Sequence, residues 1–246
     1  MPFKLELKDA SFAYEGGDNL VESASFSVCP GEVLAVVAPI GMGKSTLLKL
    51  CAGLLTPVKG ELLIDGKVFT DLSMIEQNEL RYRMGLYFQQ AVLIANLNVF
   101  DNLALPLRYY GETTEAGISR SINAWLERLD LASVAESLPA ALSTNVRQKV
   151  AFIRTMLLGR DFFFWDEPTQ NADAEFTELI EAEILQQKRK GAGQILSTQD
   201  EELLLKSADT VLMLDGGRIT YYGPLKDAGI GADFRGKRRN LINRKY

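Results

Sequence analysis

The run Glu32 to Ala38 (EVLAVVA), followed by Pro39-Ile40-Gly41-Met42-Gly43-Lys44-Ser45-Thr46 and then by LLKLCAGLL, constrains this chain more than any other segment. A short apolar run closed by a glycine-rich turn and continued by a helix is the strand-loop-helix order of a parallel α/β sheet. In that setting glycines let backbone N–H groups curl around phosphate oxygens, and the helix N-terminus adds a favourable dipole. Lys44 then reaches the β- and γ-phosphates, and Ser45 can ligate Mg2+. The usual pattern begins with glycine where this chain has Ala38. A methyl group there matters only if positive φ or close packing is required. The segment therefore predicts a nucleotide phosphate site formed by Gly41, Met42, Gly43, Lys44, Ser45 and Thr46.

Upstream, FKLELKD and SFAYEGG alternate polar and apolar residues, SASFSV leads into a Pro30-Gly31 turn, and GELLIDGKVF follows the turn at Pro57 to Gly60. These are strand signals, and they predict an N-terminal β layer. Between residues 98 and 150 the pattern changes. Ile118, Ile122, Trp125, Leu126 and Leu129 recur at helical spacing, so the region about 91–150 reads as an inserted helical subdomain. The apolar strands RDFFFWD, QILST and TVLMLDGG then alternate with the helical segments AEFTELIEAEILQQKRK and DEELLLKSA, and the sheet resumes. The expected organisation is one domain over 1–230 followed by a tail at 231–246.

Composition removes several chemistries. The 246 residues include no histidine and two cysteines, so a serine-histidine-carboxylate triad, papain-like thiol catalysis and a histidine-ligated zinc site are all excluded. Cys29 and Cys51 lie beside apolar residues without a CxxC pair and read as reduced packing residues. No run approaches the roughly 18–20 apolar residues of a membrane-spanning helix. The formal charge of −5 conceals an asymmetry, because residues 235–246 hold six basic residues and no acidic one. The remaining 234 residues carry 21 basic and 32 acidic groups, which argues against a nucleic-acid partner. The tail itself is either a solvated run or a surface for anionic lipid headgroups or an acidic partner.

A second cluster stands at Phe162-Phe163-Phe164-Trp165-Asp166-Glu167-Pro168-Thr169, where four apolar residues run into two carboxylates. Ligand chemistry in open α/β sheets collects at the C-terminal ends of strands. There Asp166 can approach Mg2+ through water, and Glu167 can orient or deprotonate an attacking water.

Taken together, these residues resemble the ATP-binding subunits of ABC transporters over about 3–226. GMGKST is similar to the Walker A loop, and FFFWDEPT to the Walker B strand with its catalytic glutamate. The resemblance implies an α/β P-loop NTPase fold with a mostly parallel core sheet, an N-terminal antiparallel β subdomain and an inserted helical subdomain, and ATP and Mg2+ as ligands. It also implies an integral membrane permease as partner, and a second ATP-binding subunit in a homodimer or heterodimer, peripheral on the cytoplasmic side of the membrane. Gln89 in GLYFQQ matches the Q-loop and would contact Mg2+ and the attacking water. Tyr14 in SFAYEGG stands where the family stacks an aromatic ring on adenine; the alternative is an exposed strand aromatic. The segment 98–108, NVFDNLALPLR, looks like that of Mla/Mce-type phospholipid-transport subunits and of some amino-acid and lipoprotein systems. Val92, Leu93, Ile94, Leu97 and Phe100 form the expected groove for a coupling helix of the permease.

The resemblance breaks on surfaces that would meet across the dimer. The family signature LSGGQ presents a helix N-terminus and glycine backbone to the other subunit's γ-phosphate; here the segment is Leu142-Ser143-Thr144-Asn145-Val146. Ser143 remains, whereas Thr144 and Asn145 add side chains to a backbone that should touch phosphate, although Asn can itself donate a hydrogen bond. The family's histidine after QILST is Gln199, which hydrogen-bonds but carries no charge. Gln170-Asn171-Ala172-Asp173 stands where SALD is usual and keeps only Asp173. Loss of one transition-state donor typically costs about 3–4 kcal/mol. The expectation is slow hydrolysis through Glu167, Gln199 and Gln89, with Ser45, Gln89 and Asp166 near the metal. The alternative is a hydrolysis-poor, nucleotide-dependent switch or scaffold. Lys44→Ala is predicted to abolish ATP binding in a fluorescent-nucleotide titration, and unchanged affinity would refute the phosphate-loop assignment.

Overall fold

The computed structural model describes residues 2–14, 19–88, 90, 92–111, 114–158 and 161–229. In chain order the strands are β1 (Leu5–Ala13), β2 (Asn19–Val28), β3 (Val33–Val37), β4 (Lys59–Ile64), β5 (Lys67–Val68), β6 (Met84–Tyr87), β7 (Phe162–Asp166), β8 (Gly193–Ser197), β9 (Thr210–Asp215) and β10 (Arg218–Pro224). The helices are α1 (Lys44–Cys51), α2 (Met74–Tyr82), α3 (Val99–Tyr110), α4 (Glu115–Arg128), α5 (Thr144–Leu158), α6 (Ala174–Arg189) and α7 (Glu201–Ser207). One sheet has the order β10-β9-β3-β8-β7-β6 and is parallel except for β10 at its edge; the other is antiparallel, β2-β1-β4-β5. The mostly parallel core, the N-terminal antiparallel layer and the helical insert are those expected from the sequence.

Strand β7 shows why the core forms. All five of its residues are buried, as a parallel strand covered on both faces requires. With side chains alternating, Phe162 and Phe164 enter a cluster with Leu47, Leu48 and Leu50 of α1 and Leu5 and Leu7 of β1. Phe163 and Trp165 enter the opposite layer, with Phe152 of α5 and Phe176, Ile180 and Ile184 of α6. Each such side chain contributes about 1.5–3 kcal/mol through burial. The Trp165 indole N–H needs a partner there, and donates to Gln194 Oε1 at 2.8 Å. Gln194 Nε2 in turn donates to Ile184 O at 2.8 Å.

Helix α5 joins the insert to the core, because Ala151 and Phe152 pack with β7 while Val150 and Ile153 pack with Leu103, Ile122 and Leu126 of α3 and α4. In the first turn of α3, buried Asn102 holds the preceding chain in place: its Nδ2 donates to the carbonyls of Ile94, Leu97 and Asn98, and its Oδ1 accepts from Ile94 N–H at 2.7 Å. The two sheets are fastened at one corner. The Tyr222 hydroxyl on β10 donates to Ser27 O at 2.8 Å and accepts from Ser27 N–H at 3.2 Å, while Arg218 pairs with Glu22 of β2.

Several local expectations change. Leu5–Ala13, which runs from within FKLELKD into the start of SFAYEGG, is one continuous strand, with the register shifting after Leu7 and Asp9 at φ 46°. Cys51 is buried as expected, but Cys29 is exposed. Ala24, Phe26 and Val28 are the inward residues at the end of β2, so the alternation turns Cys29 outward into the Pro30-Gly31 turn. Helix α2 and strand β10 were not anticipated, although α2 begins with a capping box, Ser73 and Glu76, that is visible in the sequence. Gln194→Leu would strand both the Trp165 N–H and the Ile184 carbonyl in the core. At about 1–3 kcal/mol for each unsatisfied group, urea unfolding should show a loss of about 3 kcal/mol.

Candidate functional site

Strand β3 delivers the chain into the phosphate loop, where Gly41 and Gly43 adopt φ 78° and 85° and Gly43 forms the N-cap of α1. Side chains rarely adopt this conformation, and at Gly43 space is also lacking, since a Cβ would lie 2.4 Å from Leu20 O. No side chain caps the start of α1 and its first turn holds no acidic residue, which leaves N–H groups and a positive dipole end available to an anion. Lys44 is only 8% exposed. Its Nζ donates to Ala38 O at 3.1 Å and lies 3.4 Å from Glu167 Oε1.

The opposite wall comes from the ends of β7 and β8, which are adjacent and parallel, with Asp166 in register with Ser197. Ser197 Oγ donates to Asp166 Oδ1 at 2.6 Å and accepts from Glu167 N–H at 3.2 Å; Glu167 N–H also reaches Ser197 O at 3.0 Å. Glu167 adopts φ 47°, a left-handed conformation that costs a non-glycine residue about 1–2 kcal/mol. Its Oε2 accepts from Gln199 N–H at 3.1 Å, and its buried Oε1, though facing Lys44, has no hydrogen-bond partner among the described residues.

Between these walls lies a cavity of about 230 Å³. Gly41, Gly43, Lys44, Ser45 and Thr46 line one side, and Asp166, Glu167, Gln170 and Gln199 the other. A loop of donors, a buried cation and two carboxylates with an unsatisfied acceptor between them suit a phosphate chain with a divalent cation. The described residues contain no cluster of three cysteine, aspartate or glutamate side chains that could hold a metal ion by itself. A hard cation here would therefore need phosphate oxygens to complete its shell, as Mg2+ commonly does.

Not every expected residue is at the cavity. Met42 packs beneath the loop against the core. Tyr14, 48% exposed, stands edge-on to Phe12 and does not line the cavity. Ser143, Thr144 and Asn145 lie apart from it at the start of α5, with Ser143 and Thr144 exposed. Gln89 and the basic tail at 235–246 lie outside the described residues. Sequence reading missed Ser197 as the residue that organises both carboxylates. The available signal was its place at the end of QILS, where a strand parallel to FFFWD must end beside Asp166.

Residues 21–170, more than half of the chain, match the family described as ABC transporter, and the chain belongs to that family as an ATP-binding domain. It is 32% identical to the sn-glycerol-3-phosphate import ATP-binding protein UgpC of Cupriavidus metallidurans, over 89% of this chain but 59% of that protein. The chain thus spans little more than half the length of that relative. It is 31% identical to the intermembrane phospholipid transport system ATP-binding protein MlaF of Haemophilus influenzae, over 89% of this chain and 83% of that one. Among solved structures, an ATP binding subunit of an ABC transporter superposes with a TM-score of 0.82 at 29% identity, covering 98% of both chains. The cassette MJ0796, a dimer in a post-hydrolysis state with ADP and Pi, gives 0.81 at 25% identity, covering 90% of this chain and 98% of that one.

The loop geometry separates its two glycines. Gly41→Ala meets nothing within 4 Å and pays only the backbone cost, about 1–2 kcal/mol, whereas Gly43→Ala must also displace the Leu20 carbonyl. Urea denaturation of the two variants should show the larger loss for Gly43→Ala.

Proposed function

We propose that this chain is the ATP-binding subunit of an ABC transporter, coupling MgATP binding and slow hydrolysis at a subunit interface to substrate movement by a separate membrane permease. The observation that carries the reading is the buried Lys44 ammonium facing Glu167 across the cavity under the phosphate loop. Lys44 and the N–H groups of the loop bind the phosphates, and Lys44 leaves Glu167 as it does so. Glu167, still held through Oε2 by the Gln199 N–H, then has Oε1 available to orient water and accept its proton. Ser45 and Asp166, with Gln89, would hold Mg2+, which supplies charge neutralisation at the transferred phosphoryl group.

Two features support slow turnover. Gln199 has no charge to place near the γ-phosphate, and Thr144 and Asn145 bring side chains to the surface that would face a partner's nucleotide. Single-domain organisation over 1–230 agrees with one contiguous core in which α5 is shared between insert and sheet. Among the described residues no helix is long and apolar enough to cross a membrane, so the permease supplies the crossing. Val92 and Ile94, both exposed, offer it an apolar surface. Phospholipid is the favoured cargo, supported by the 98–108 segment and by the extent of the match to MlaF.

Steady-state hydrolysis measured with the permease present should fall at least about 100-fold in Glu167→Gln, the scale of a lost general base. Equal, near-zero rates in wild type and variant would instead assign the chain to a nucleotide-dependent switch. Combining Gln199→His with an LSGGQ signature should raise turnover.

A further inference from the structure

The altered signature makes a bond inside its own subunit that glycine cannot make. Asn145 Nδ2 donates to Asp173 Oδ2 at 3.0 Å, while Asp173 Oδ1 caps α6 by accepting from Phe176 N–H at 2.8 Å. Gln148 Nε2 donates to Gln170 O at 3.2 Å, and Lys149 Nζ lies 3.7 Å from Asp173 Oδ2. Positions 145, 148 and 149 are three and four apart, so they share one face of α5, and that face grips residues 170–173. The gripped segment is the one that carries Gln170 into the cavity wall.

We infer that Asn145 is a positioning residue, clasping the first turn of α5 to residues 170–173 so that the exposed Ser143-Thr144 surface is oriented by the wall of the chain's own nucleotide cavity. The inference rests on the function proposed above and deepens it: the Asn145 amide acts within the subunit, and only through the clasp on the surface offered to a partner's nucleotide. Asp173 is suited to this double duty. The Phe176 N–H first, then the Asn145 amide and the Lys149 charge, hold its carboxyl below the usual carboxylate range, so the clasp persists into mildly acidic solution. Segment 170–173 is tied in turn to the catalytic strand end, since Gln170 N–H donates to Glu167 O at 3.1 Å. Displacement of the cavity wall by an entering phosphate is therefore passed to Ser143 and Thr144 through a fixed contact.

Amide hydrogen exchange of the full chain tests this. Without ligand, Asn145→Ala should raise exchange at Arg147 to Lys149 and at 170–173 about fivefold, the scale of one ordinary net hydrogen bond. Asp173→Ser keeps a cap for α6 but also releases Lys149, so it should raise exchange at least as much, and adding Asn145→Ala to it should give no further increase. Asp173→Asn can preserve both bonds through an amide pair and should exchange as wild type does. Additive effects, or wild-type exchange in Asn145→Ala, overturn the clasp. With a non-hydrolysable ATP analogue, wild type should gain protection both at Gly41 to Ser45 and at 143–149. Asn145→Ala should gain it only at the loop, and an equal gain at 143–149 in both proteins overturns the inference. If wild type gains no protection at the loop, the ATP-binding reading fails, and the ligand-free comparison still decides the clasp.

Discussion

Burying an ammonium group is the constraint on which this architecture depends. Lys44 is nine-tenths covered, and a cation so placed needs polar partners to offset the water it has lost. The Ala38 carbonyl and the Glu167 carboxylate meet that need, and each comes from a different central strand, β3 and β7. Glu167 reaches Lys44 only because its backbone turns into the left-handed region, and that turn is held by Ser197 at the end of β8. One cation thereby ties three strand ends together. Glu167 keeps an acceptor without a hydrogen-bond partner, so the arrangement is stable enough to fold and incomplete enough to take a ligand.

The two layers around β7 explain how such a polar seam survives in a core. Aromatic residues leave the strand on both faces, and their ring contacts extend through Phe162 and Phe164 on one side and Phe163, Trp165 and Phe152 on the other. Close packing of this kind transmits small displacements because it has few voids to absorb them. Helix α5 draws on both the core and the insert, so its first turn is connected mechanically to the strand that ends in the carboxylates.

What the sequence revealed was what lies close along the chain. The phosphate loop, the apolar strand ending in Asp166 and Glu167, and the helical periodicity of the insert are each contained within a dozen residues or so, and the structure brings Lys44, Ser45, Asp166, Glu167 and Gln199 to one cavity. What stayed hidden depends on register between distant segments. Ser197 meets Asp166 through parallel pairing across 31 positions, and Asn145 meets Asp173 across 28. Asn145 was legible as a departure from glycine, but not as a residue with a partner. The bulge at Asp9 and the outward turn of Cys29 were missed for a simpler reason: alternation shifts by one residue where a strand bulges or ends, and composition does not mark the shift.

The Tyr222 hydroxyl, bonded to both the carbonyl and the N–H of Ser27, occupies main-chain groups that an edge strand would otherwise leave open. Unpaired edges invite foreign strands, and a phenol that fills both positions at once excludes them without adding a strand of its own. At Ser27 this edge of the sheet offers no open main-chain pair to a foreign strand. A single side chain on β10 thus does for the edge of the other sheet what a further strand would do, and it couples the two sheets in the same contact.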